Sequence, residues 1–216
     1  MSKINLLKLA TWAGIISPAL FVAVFMIEGW LRPGYDPLST FISALSLGPR
    51  GWIQIINFIV FGALLLLFTR AVAAEFTSRK ASKAGLILLT IIAFCFLLSG
   101  IFVMDPTGTP PDQATFHGTL HGIFGGVVFL LMPICILLFL RNFKAEPKWR
   151  SLWRWTFILG IFDAVAVLFF TLASKLPALQ ILFNDWIGLI QRTALIPFMI
   201  WVFIFALRIL KRSKQG

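Results

Sequence analysis

Apolar residues in this chain gather into six long blocks separated by short polar stretches. The blocks cover residues 9–31, 51–68, 84–104, 116–140, 155–173 and 187–207. Each approaches the roughly 20 apolar residues that a helix needs to cross the hydrocarbon core of a bilayer. The period-two alternation of a membrane β-barrel is missing, so the blocks read as helices. Pro18, Pro133 and Pro197 fall inside the first, fourth and sixth blocks. A proline there removes one backbone donor and is placed to kink the helix. The pattern predicts an all-α polytopic membrane protein: one domain over residues 1–216, a bundle of six transmembrane helices.

Composition agrees, since 59% of the 216 residues are hydrophobic, 12% are charged and the mean hydropathy is +0.94. A soluble domain is nearer half apolar and a quarter charged. The net charge of +11 would suit nucleic acid only on the basic face of a soluble domain. Here the cations lie between the blocks. Lys3 and Lys8, then Arg70, Arg79, Lys80 and Lys83, then Arg141, Lys144, Lys148, Arg150 and Arg154, then Arg208, Lys211, Arg212 and Lys214 all fall on one side. The other side has Arg32, Arg50 and Lys175. The positive-inside rule predicts a multi-pass protein of the cell (inner) membrane with both termini cytoplasmic. Membrane lipids, not nucleic acid, are the expected partners.

The first block follows Lys3 and Lys8 as a signal peptide would. It is long, lacks a small-x-small cleavage site and exits through Glu28, Trp30 and Arg32, so it reads as an uncleaved span. Cys95 and Cys135 lie inside apolar blocks with neither zinc nor disulfide spacing, as packing residues do. Trp30, Trp52, Trp153, Trp155 and Trp186 sit at block ends, where indoles anchor at the bilayer interface.

Two outer connections are unusual. In residues 33–50, Leu38, Phe41, Ile42 and Leu45 follow helical spacing, with Ser39, Ser43 and Ser46 on the opposite face. A short amphipathic helix is expected there, lying at the interface or dipping over the bundle. Residues 105–115 contain three prolines and no cation.

Charges inside a span cost about 2.5–3.5 kcal/mol on insertion scales, so each needs a partner or a task. Asp163 lies in the middle of the fifth block, and Gln191 and Arg192 in the outer part of the sixth. At about 1.5 Å per residue the two charges differ in depth by on the order of 7 Å, within reach of an arginine. Two readings stand: an Asp163–Arg192 pair that fixes helix packing, or a polar binding site or ion path.

His117 and His121 are four residues apart and share a helix face. Two imidazoles so placed suit one metal at about 2.0–2.1 Å. Asp105, ending the preceding block, would complete a two-histidine, one-carboxylate set with a position left for water, zinc being the candidate ion. The plainer reading gives the histidines to headgroups, waters or carbonyls. Gly118, Gly122 and Gly126 run beside them at four-residue spacing, a close-packing signature in membranes. Ser43 is the candidate catalytic nucleophile on the same side, and its plainer reading is the wet face of the loop. Asn57, Gln54 and Glu28 are further candidates for an outer polar cavity.

These residues carry a resemblance. Gly34-Tyr35-Asp36-Pro37, Ile42-Ser43-x-Leu45, Gly51-Trp52 and Asn57-Phe58 are similar to the first half of a prokaryotic membrane family catalogued as domain of unknown function 998. Gly100-x-Phe102-x-x-Asp105-Pro106, His117-Gly118-x-x-His121 and Gly188-x-x-Gln191-Arg192 match its later positions. The resemblance implies a six-span integral membrane protein and no particular activity. A more distant similarity, to the ceramidase and adiponectin-receptor membrane hydrolases, rests on Ser43, Asp105, His117 and His121. That group holds zinc with three histidines, and this chain has two in all, so a carboxylate or water would replace the third.

The leading expectation is an outer-facing polar pocket, formed by the first outer loop and spans three, four and six, that handles a lipid or amphiphile. The alternatives are a metal-assisted hydrolase using Asp105, His117 and His121, a small transporter using Asp163 and Arg192, and a structural membrane factor.

Overall fold

The computed structural model describes residues 3–76, 80–145 and 147–213. It is 87% helical, with no strand among the described residues. The long helices are α1 (Lys3–Leu31), α2 (Gly51–Glu75), α3 (Lys80–Ile101), α4 (Phe116–Ala145), α5 (Arg150–Lys175) and α7 (Ile187–Ser213). A short α6 (Pro177–Phe183) leads into α7. Six helices are long and apolar enough to cross a membrane, as the block pattern predicts. They run past the apolar blocks because the hydrogen-bonded ladder continues into the interfacial zone, where charged side chains are tolerated. Arg79 and Lys214, two of the cations at the terminus-bearing end, lie outside the described residues.

The six long helices pack in chain order, α1 on α2, α2 on α3, α3 on α4 and α4 on α5, and α7 closes the ring between α5 and α1. The ring surrounds an aromatic core that includes Phe21, Phe61, Phe68, Phe139, Phe198 and Phe205. Its outer surface is equally apolar: Ile16, Leu20, Phe94, Phe162, Val165 and Leu168 are exposed. A helix that is hydrophobic all round is buried in protein on one side and lipid on the other. Helices approach closely where glycines meet a neighbouring backbone or side chain. A Cβ on Gly62 would come within 2.6 Å of the Leu97 amide, and one on Gly160 within 2.7 Å of Leu137.

The terminus-bearing end is sealed. Phe76, Phe143, Trp149 and Phe205 pack edge to face or tilted, with ring centroids 5.1–6.1 Å apart. Arg212 lies 4.7 Å from the Trp149 ring and pairs with Glu75 at 2.5 Å. The opposite, distal end, which carries the loop of residues 33–50, is open, and it holds the candidate site residues other than Asp163, which lies midway along α5.

Candidate functional site

The distal loop is a strap bound to α7. Gly34 and Gly48 take φ of +74° and +71°, a left-handed conformation that glycine adopts without strain, and so turn the chain at both ends. Asp36 starts the strap, accepting from the Leu38 amide at 3.0 Å and the Ser39 hydroxyl at 2.7 Å. Those bonds hold its carboxyl below the ordinary value of 3.8. The Leu189 amide then donates to the Leu38 carbonyl at 2.9 Å, and the Ile42 amide to Gln191 Oε1 at 2.7 Å. Gly188 makes this approach possible, since a Cβ there would fall 2.6 Å from the Pro37 carbonyl oxygen. The expected short helix is present as a 3₁₀ turn, Ile42–Ser46, with Ile42 and Leu45 turned inward. Ser46 is inward too, its hydroxyl donating to the Ser43 carbonyl at 2.6 Å.

Arg192 fastens the strap. It is 5% exposed and donates to the Thr40 carbonyl at 3.1 Å, the Gly188 carbonyl at 2.8 Å and the Tyr35 hydroxyl at 2.6 Å. The Tyr35 hydroxyl in turn donates to the Phe41 carbonyl at 3.0 Å. Burial pushes this phenol above its ordinary 10.0, against the opposing pull of Arg192, so it stays a neutral donor. At the strap's far end the buried Glu28 accepts from Arg50 at 2.6 and 2.9 Å and from Arg32 at 3.2 and 3.3 Å. Arg32 also donates to the Leu47 carbonyl at 2.9 Å.

The expected Asp163–Arg192 pair is not formed. Arg192 is committed to the strap, and Asp163 lies wholly buried in α5 with neither carboxylate oxygen hydrogen-bonded. The Phe198 amide of α7 is near it without completing a bond. The depth difference is compatible with a pair; helix rotation decides otherwise, turning Arg192 toward the Thr40 carbonyl and the Tyr35 hydroxyl of the distal loop. Asn57 donates to the Phe21 carbonyl at 3.1 Å and to Gln54 at 3.2 Å. None of Glu28, Gln54, Asn57, Asp163 or Arg192 lines the distal cavity.

That cavity is a cleft of about 990 Å³ beneath the strap. Ser39, Ser43, Asp105, Lys175, Gln180 and Asn184 are polar residues of its lining. Deeper, Phe21, Phe58, Phe96, Phe129, Phe170 and Leu195 make it apolar. One wall is α4, where Cβ atoms built on Gly122, Gly125 or Gly126 would meet nothing within 4 Å. Gly122 and Gly126 therefore do not pack a helix, as their spacing suggested, but leave room, whereas Gly118 packs closely, the Asp105 carboxylate standing where its Cβ would be. Leu130 also lines the cleft and is 61% exposed, so the cleft opens along the α4 surface into the membrane-spanning zone.

The three metal candidates have separate settings. Asp105 accepts from the Thr115 amide at 2.9 Å and the Thr115 hydroxyl at 2.7 Å, and that hydroxyl accepts from the Gly118 amide at 3.0 Å. Together they cap the otherwise open amino end of α4. Nδ1 of His121 faces the carbonyl oxygens of Ser99 at 3.1 Å and Phe102 at 2.8 Å. Both are acceptors, so Nδ1 carries the proton and the ring satisfies carbonyls at the end of α3. His117 is exposed and stands against the Phe102 ring at 5.3 Å, outside the cleft lining. Asp105, His121, Ser43 and Gln191 do share the cleft. Among the described residues no three His, Cys, Asp or Glu side chains are gathered as a metal would require.

Tyr35 enters the sequence reading only as part of the family motif, and Thr40 and Thr115 are not among the candidate site residues. Tyr35 is the only tyrosine, and Thr115 stands immediately before α4 at the position a capping residue takes, so both had a local signal. Thr40 takes part through its backbone carbonyl, and no side-chain pattern reports that. No curated protein and no solved structure matches the chain. The family described as protein of unknown function (DUF998) matches residues 15–208. That span includes the strap, the cleft and all six long helices in whole or part, and the chain belongs to this family.

Proposed function

We propose that the distal cleft binds a lipid or lipid-like amphiphile, with its polar group under the strap and its tail along α4. The observation that carries this reading is the glycine wall, which keeps open a volume that ordinary side chains would fill. Ligand pockets run about 300–1,000 Å³ and are mostly apolar with a few polar groups, and the cleft at about 990 Å³ has that character. Leu130 is about 21 Å along α4 from Phe116 at 1.5 Å per residue. The cleft thus spans much of a hydrocarbon core about 30 Å thick, a depth that suits a chain more than a compact solute. Lys175, Gln180 and Asn184 would meet the polar group, with Ser43 of the strap, Gln191 bonded to it and His121 in the same lining.

The test is extraction of lipids from purified wild-type protein and from Gly122→Leu/Gly126→Leu, both in the same detergent. Wild type should retain an amphiphile, identified by mass spectrometry, that the double variant loses while keeping its helical spectrum and elution volume. Equal retention by both would mean that the cleft is not the binding place.

A further inference from the structure

A second cleft, unrelated to the distal one, lies at the terminus-bearing end where α4 hands over to α5. It has a volume of about 830 Å³, and its lining includes Lys144, Arg150, Arg154, Trp153, Trp155 and Ile158. Three cations thus surround one concavity. Among the described residues none of the three has a hydrogen bond or ion pair, and no Asp or Glu lines the cleft.

Helix chemistry alone would not place these charges here. Arg150 and Arg154 are four apart on α5, a like-charge pair that weakens a helix. They also stand at its amino end, where the dipole favours anions. The first turn of α5 contains no acidic residue, and no side chain caps it. The cleft therefore gathers two guanidinium groups from the start of α5 and the Lys144 ammonium from the end of α4. An anion bridging the three would relieve the repulsion.

The apolar half of the cleft indicates what carries that anion. Trp155 and Ile158 are 58% and 56% exposed on the lipid-facing side of α5, and Trp153 is stacked on Phe157 at 5.7 Å with the rings 6° apart. Indoles mark the interface depth of a bilayer, where phosphates meet acyl chains. We propose that this cleft binds the phosphate headgroup of an anionic phospholipid, held by Lys144, Arg150 and Arg154, with its acyl chains against Trp155 and Ile158.

The test uses full-length protein stripped of lipid in a neutral detergent. It is titrated with phosphatidylglycerol, phosphatidylcholine or inorganic phosphate and followed by native mass spectrometry. Phosphatidylglycerol should bind with one molecule retained well above the others. Lys144→Gln/Arg150→Gln/Arg154→Gln should weaken it by about a hundredfold, from the usual worth of three cations near an anionic headgroup. Arg70→Gln/Arg141→Gln/Lys211→Gln, which removes the same charge elsewhere at that end, should leave the retained lipid in place. Arg150→Lys/Arg154→Lys should keep most of the affinity, a check that does not depend on how the neutral variant folds. Equal losses in the two neutral triples would reduce the effect to diffuse charge and overturn the site. Inorganic phosphate binding as tightly as the lipid, and displacing it, would assign the site to a soluble anion and overturn the lipid.

Discussion

Replacing Arg192 by methionine removes the guanidinium while keeping an unbranched apolar side chain on α7. Three hydrogen bonds disappear, to Thr40, Gly188 and Tyr35. Bonds from a charged donor are worth about 1.5–3 kcal/mol each, and the change also relieves several kcal/mol of burying a cation, leaving a net loss of about 2–4 kcal/mol. For a chain of this length each kcal/mol moves the melting temperature by about 2–4 °C, so a fall of about 10 °C is expected. Thermal unfolding in detergent would read it, with exposed Arg70→Ala as a control that stays near wild type. Because the lost bonds to Thr40 and Tyr35 belong to the strap, tryptic cleavage after Arg50 should also accelerate in Arg192→Met. Residues that share no partner add their effects, so Asp163→Asn combined with Arg192→Met should show the sum of the two single shifts. Rescue by Asp163→Asn, or an Arg192→Met protein as stable and protease-resistant as wild type, would refute the reasoning.

Gly188→Ala should destabilise by about 1–3 kcal/mol, because its Cβ collides with the strap backbone, whereas Gly125→Ala, facing open space, should be neutral or gain up to about 1 kcal/mol of helix propensity. Melting of the pair side by side decides it, and the same sign for both would contradict the strap geometry. Asp163→Leu should raise the melting temperature more than Asp163→Asn, since an apolar replacement removes a buried polar group that lacks a partner. A marked fall for the leucine variant would mean that the carboxyl is hydrogen-bonded, with the Phe198 amide its nearest donor. Asp36 is held below its ordinary 3.8 chiefly by the Ser39 hydroxyl, then by the Leu38 amide. A carboxyl depressed in the folded state stabilises above its ordinary pKa and ceases to as pH falls through the folded value. Hydrogen exchange at the Leu38 and Thr40 amides should therefore show the strap loosening below about pH 4, and Asp36→Asn should remove that pH dependence.

The six spans were legible because a bilayer demands long, unbroken apolar runs whose backbone bonds close internally, a requirement written locally in the sequence. The strap was half legible. The loop's apolar spacing pointed to a short amphipathic helix, at the interface or over the bundle, and Ile42 and Leu45 are buried beneath a 3₁₀ turn. Its fastening could not be read, because Arg192 bonds to the Thr40 carbonyl and the Tyr35 hydroxyl more than a hundred positions away, and every residue has a carbonyl. The histidine and glycine motifs show the same division. Four-residue spacing correctly placed His117 and His121 on one turn-to-turn register, yet only their surroundings decide what they touch: His121 meets the end of α3, and His117 faces Phe102 and solvent. Gly122 and Gly126 have the spacing of a packing seam and line a cleft instead, because a missing side chain admits either a neighbouring helix or a void. The sequence by itself thus determined which segments enter the membrane and where polar groups interrupt them. Their partners, and the space left between them, depend on helix rotation and on contacts between distant segments, which only the tertiary structure decides.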